Sequence, residues 1–124
     1  MPKPLGILLI SPGHERAHYA LVLATGAAAL GREVTLFATN AGCRLLLAES
    51  PLLADPREAA VSARGVAGIA PLLEAAEELG LRFLACEAGL RTEGLEAAPL
   101  RPSVTVAGIA SFLAAIGDGQ MATL

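Results

Sequence analysis

Two stretches of this chain, ALGREVTLFAT and ELGLRFLACEA, pass through the same series: a helix end, a glycine, a short arginine-containing step and an apolar run. Glycine just past the end of a helix supplies the left-handed backbone that closes it. An apolar run with almost no alternation reads as a strand buried on both faces. Strands and helices therefore alternate, and the strands lie parallel in one covered sheet.

The rest of the chain extends this pattern. LGILLIS, from Leu5 to Ser11, is a first strand that stops at Pro12 and Gly13, and a long helix of small residues follows from about His14 to Leu30. Gly31 closes that helix ahead of a second strand from Glu33 to Thr39. Farther on, Ile69, Leu72, Leu73, Ala76 and Leu79 fall at helical spacing, with Glu74, Glu77 and Glu78 mostly on the other side. Gly80 ends this helix, and LRFLAC is a buried strand with Cys86 at its carboxyl end. Ser103 to Val106 reads as a short strand, Val106 to Ile116 as a helix, and GDGQMATL as a turn and a last strand. The expected fold is a three-layer α/β/α sandwich of flavodoxin-like type, its mostly parallel sheet holding about five strands. Residues 48–65, with Pro51 and Pro56, have no clean period and read as a variable insertion: a short helix with loops, or a cover over the site.

At 124 residues, 54% of them hydrophobic, the chain suffices for one substantial core, so residues 1–124 are read as a single domain. Nine scattered Lys and Arg residues, a net charge of −3 and no Trp argue against a nucleic-acid partner. The longest uncharged run, Ala17 to Gly31, falls short of the roughly 20 residues of a membrane span. The amino-terminal segment matches neither a secretory signal nor a transit peptide, and two well-separated cysteines suit a reducing, cytoplasmic setting. The wealth of Ala, Leu and Gly implies more apolar surface than a small monomer covers, hence self-association.

In an open parallel sheet, ligands bind beyond the carboxyl ends of the strands. His14, His18, Asn40, Cys43 and Cys86 all lie on or soon after such ends. Cys86 is the best placed, because free N–H groups of a helical turn beginning there would favour its thiolate, with Arg91 or Arg101 adding positive charge if the loop folds back. The alternative is an inert core cysteine. Cys43 begins CRLLLAE, which reads as a short helix; it is either a small apolar packing residue or a resolving thiol for Cys86. His14 and His18 share one helix face, as metal-binding pairs do, and with both cysteines would form a zinc tetrad. No HExxH accompanies them and nothing in the spacing enforces the tetrad, so ordinary surface or capping histidines are the favoured reading. SPGHER lacks the glycines of a phosphate loop, no nucleophile elbow supports a serine triad, and no cofactor is expected. Three functions stay open: sulfur handling at Cys86, a non-enzymatic module for a small ligand or metal, and a Cys43/Cys86 thiol–disulfide couple.

The blocks YALVLATGAAALGREVTLFATNAG, IAPLLEAAEELGLRFLACEAGLRTEGL and VTVAGIASFLAAIGDGQMATL resemble the DsrE/DsrF-like sulfur-relay proteins, TusD-type sulfurtransferase subunits among them. The likeness spans most of the chain outside roughly Ala48 to Arg64, and its most specific element is the strand-terminal cysteine that Cys86 matches. It implies a three-layer α/β fold, trimers or hexamers, and a persulfide carried on Cys86 between donor and acceptor proteins.

Overall fold

The computed structural model describes residues 2–124. Five strands, β1 (Leu5–Leu9), β2 (Val34–Ala38), β3 (Arg82–Cys86), β4 (Val104–Ala107) and β5 (Gln120–Thr123), form one sheet in the order β4-β3-β2-β1-β5. Every neighbouring pair is parallel. Helices α1 (His14–Ala29), α2 (Pro56–Ala63), α3 (Ile69–Glu78), α4 (Glu87–Thr92) and α5 (Ile109–Ile116) connect them, with 3₁₀ segments at Asn40–Leu46 and Pro51–Ala54. The layering is the expected one, while flavodoxins run in the order 2-1-3-4-5. Among the described residues no helix is long and apolar enough to cross a membrane.

The repeated glycine device is visible at atomic level. Gly31 (φ 88°) and Gly80 (φ 79°) adopt the left-handed conformation after α1 and α3. Their amides bond to the carbonyls of Ala28 and Glu77, and those of Arg32 and Leu81 reach back to Ala27 and Ala76. Both helices thus close with the same pair of bonds, which satisfy their last carbonyls and aim the chain into β2 and β3.

Chain order explains how the layers fill. From β1 to β4 the chain steps across the sheet in one direction, so right-handed crossovers put α1 and α3 on the same face. The return from β4 to β5 runs the other way and leaves α5 alone on the second face. On the first face Ala17, Ala20 and Ala24 of α1 are fully buried with Ile7, Leu36, Phe83 and Leu73, and these small residues let the helix lie close. On the second, Phe112 and Ile116 of α5 pack with Phe37, Leu84 and Cys86, with the Phe37 and Phe112 rings stacked at 5.0 Å. Gly6 in β1 makes room for α5, since a Cβ there would fall 2.4 Å from the Ile116 side chain.

Several boundaries differ from the sequence reading, the first strand for instance ending at Leu9 rather than Ser11. The expected 103–106 strand and 106–116 helix are β4 at Val104–Ala107 and α5 from Ile109, separated by the α5 N-cap Gly108. The short helix expected to begin at Cys43 is instead a 3₁₀ segment that starts at Asn40, whose left-handed backbone (φ 50°) turns the chain sharply after β2.

Candidate functional site around Cys86

Cys86 is both the last residue of β3 and the N-cap of α4. Strand alternation points its side chain, like that of Leu84, to the second face. There it is 9% exposed, beside the aromatic pair. Its backbone is extended (φ −67°, ψ 119°), as an N-cap requires, and its Sγ takes the place usually held by a Ser or Asp oxygen by accepting the Gly89 amide at 3.3 Å. The sulfur thus accepts one main-chain N–H at the start of the helical turn.

The turn can sit there because position 89 has no side chain. A Cβ on Gly89 would lie 2.4 Å from the Asn40 amide nitrogen and 2.6 Å from Thr39 Oγ1, so α4 rests directly on the backbone leaving β2. Gly42 plays a similar part at the end of β1, where a Cβ would lie 2.3 Å from the Leu9 carbonyl oxygen. These close approaches gather the ends of β1, β2 and β3 into one rim. Nothing in the sequence spacing marked Gly89 as a residue of the site.

Asn40 lies on this rim, exposed, beneath α4. Cys43 is wholly buried on the first-face side of the rim, its thiol directed to the Ala38 carbonyl at 3.5 Å. Burial, first, and the neighbouring Cys86 sulfur push the Cys43 thiol up from 9.0 to about 11, against a smaller opposing effect of the Cys86 main-chain amide. Cys43 is therefore a neutral thiol at physiological pH, and both cysteines are free. Arg91 does not fold back toward Cys86: it pairs with Glu87 at 3.0 Å, one turn earlier on α4, both side chains being largely exposed. Arg101 is bound to Glu77 at 2.8 Å, and that arginine together with Ser103 holds the Glu77 carboxyl below its ordinary value.

The histidines do not join the cysteines. His14 is the first residue of α1, and it stacks on His18 with ring centroids 5.6 Å apart. His14 Nε2 meets Glu58 Oε1 at 2.7 Å, and His18 Nε2 donates to the Ala67 carbonyl at 2.8 Å. With those nitrogens engaged toward the 58–67 segment, the zinc tetrad His14, His18, Cys43 and Cys86 is not assembled. No group of three or more metal-ligating side chains occurs among the described residues. The 48–65 segment, which holds the second 3₁₀ turn and α2, contacts α1, α3 and the 3₁₀ segment Asn40–Leu46.

Comparison with known proteins agrees with this architecture. A model of the DsrE/DsrF-like family matches residues 3–122. The uncharacterized protein YrkE of Bacillus subtilis (strain 168) is 28% identical over 151 aligned residues, covering 96% of this chain and 94% of that protein. The crystal structure of the ychN protein from E. coli superposes with a TM-score of 0.75 over 98% of this chain and 99% of that one, at 15% identity, a likeness of fold. With its five-stranded parallel sheet and a family match over nearly its whole length, the chain belongs to the DsrE/DsrF-like family.

Proposed function

We propose that the protein is a sulfur carrier that holds sulfane sulfur as a persulfide on Cys86. The observation that carries this reading is the position of the thiol at the N-cap of α4, with its Sγ accepting the Gly89 amide. Family membership supports a sulfur-related role.

In the loading step the Cys86 thiolate attacks the outer sulfur of a donor persulfide. A new S–S bond forms at Cys86, the donor's own S–S bond breaks, and the donor leaves as a thiolate that takes up a proton. Unloading reverses the roles, with an acceptor thiolate attacking the outer sulfur on Cys86. No net oxidation occurs, so neither metal nor redox cofactor is required. The Gly89 amide stabilises negative charge at Sγ in both directions. The exchange partners are proteins or small molecules that bear a persulfide or thiol, and the carrier works in a reducing, cytoplasmic compartment. Exposed Ile109, Leu113, Met121 and Leu30 support self-association, for which the family resemblance implies a trimer or hexamer.

Intact mass spectrometry after brief exposure to inorganic polysulfide tests the reading. Wild type gains the mass of one or more sulfur atoms, reductant removes it, and Cys86→Ser gains none. A folded wild type that gains nothing, or a Cys86→Ser protein that gains as much, refutes it.

A further inference from the structure

A second cluster of titratable groups lies apart from Cys86, where α2 crosses the amino-terminal ends of α1 and α3. Helix α2 contributes no buried residue. Apolar burial therefore does little to hold it, and its attachment is polar. The Glu58 carboxylate accepts three hydrogen bonds: from His14 Nε2 at 2.7 Å, from the Ile69 amide at 2.8 Å and from the Ala70 amide at 3.0 Å. It thereby caps α3, whose own N-cap, Gly68, supplies no side chain. A Cβ on Gly68 would lie 2.6 Å from Glu58 Oε2, so that glycine is the recess into which the carboxylate fits. The attachment is completed by the bond from His18 to Ala67 and an exposed ion pair between Arg57 and Glu15 at 3.0 Å.

Beneath α2 the His14 and His18 rings are nearly shut off from solvent, and His14 Nδ1 has no hydrogen-bond partner. We propose that residues 55–68 form an acid-released strap, latched by Glu58, that opens over the stacked histidines while the sheet and the Cys86 turn stay folded. The inference is independent of the sulfur reading.

The groups facing Glu58 set the direction. Among the titratable side chains of the adjoining elements, only His14 bonds Glu58; His18 is engaged with the Ala67 carbonyl, Glu15 with Arg57, and Asp55 caps α2 through the Arg57 amide. The first turn of α3 carries no acidic side chain. Partial burial works to raise the Glu58 pKa, but the bonds from His14, Ala70 and Ile69 together hold it below the ordinary 4.5. A group with a depressed pKa stabilises its contacts fully above the unfolded value and loses that contribution as pH falls through the folded one. A proton on His14 strengthens its bond to an ionised Glu58, so the histidines cannot open the strap by themselves. Once the carboxyl is protonated, the amides of α3 lose their anionic cap.

Native-state hydrogen exchange of the full chain, resolved by segment and expressed as protection factors, tests this at about pH 3.5 and about pH 7. The expected result is a severalfold loss of protection in residues 55–70 at the lower pH, with about tenfold as the ceiling one carboxyl can reach there, and β1 to β3 unchanged. Glu58→Gln should show that loss already at neutral pH and abolish its pH dependence, while Arg57→Ala keeps the wild-type dependence. The proposal is overturned if the wild-type segment stays protected in acid, or loses protection only together with β3. It is also overturned if folded Glu58→Gln, judged by intact β3 protection, keeps the wild-type profile.

Discussion

Two glycine-to-alanine substitutions, Gly89→Ala and Gly26→Ala, should move stability in opposite directions, although the chemical change is identical. Gly26 lies within α1, and a Cβ there meets nothing within 4 Å. Alanine at such a place removes unfolded-state freedom and improves helix propensity, a gain of roughly 0.5–1 kcal/mol. At Gly89 the added methyl would fall 2.4 Å from a main-chain nitrogen, which no side-chain rotation can relieve. Overpacking of that kind costs about 1–3 kcal/mol. After the gain in helix propensity, a net loss of about 1–2 kcal/mol remains. The two variants therefore differ by roughly 2 kcal/mol, or on the order of 1 M in urea midpoint. With no Trp in the chain, circular dichroism is the signal to follow. Gly89→Ala must also tilt α4 away from Thr39 and Asn40, carrying the amide away from Cys86 Sγ, so polysulfide loading should slow in the molecules that remain folded. A Gly89→Ala protein with the wild-type midpoint and the wild-type loading rate would refute the close-approach argument.

Two further outcomes follow from the packing around the thiols. The unfolded Cys43 thiol ionises near 9.0 and the folded one near 11, so its contribution to stability is complete below 9.0 and is lost as pH rises through about 11. That loss amounts to about 3 kcal/mol; Cys43→Ala should lack this part of the alkaline decline in denaturant titrations, and identical alkaline limbs would contradict it. Phe112→Ala removes one ring of the stacked pair and should cost roughly 3–5 kcal/mol. It should also speed iodoacetamide labelling of Cys86 in the folded state, and an unchanged labelling rate would show that α5 does not shield the thiol.

The parts legible in the sequence are those where one local rule and the tertiary structure agree. Gly31 and Gly80 closed their helices in the text of the chain as they do in space, and the apolar runs before Ala38 and Cys86 are strands because both their faces are covered. What could not be read there depends on contacts between distant residues. Gly89 matters because of Thr39 and Asn40, and Gly68 because of Glu58. Helix α2 had no apolar period to find, since it buries nothing, yet Asp55, Pro56 and Glu58 stand at its N-cap, first and third positions, a start signal available in the sequence. The shared helix face of His14 and His18 follows from their spacing, whereas their separation from the cysteines does not. Strand order with right-handed crossovers puts α1 beside α3 on the first face, while the pleat of β3 turns Cys86 to the other side of the sheet.

The strand order also has a kinetic side. Pairing β2 with β1, β3 with β2 and β4 with β3 closes loops of a few tens of residues at most, whereas β5 must return to β1 from the far end, bringing Gln120 beside Leu5. Closure entropy grows with the length of chain enclosed, so this pairing carries the largest entropic cost and comes late. Helix α5 lies on the segment that makes this return. The expected order of folding therefore forms the strand that bears Cys86 before the roof over it, with a stage in which the thiol is open to solvent.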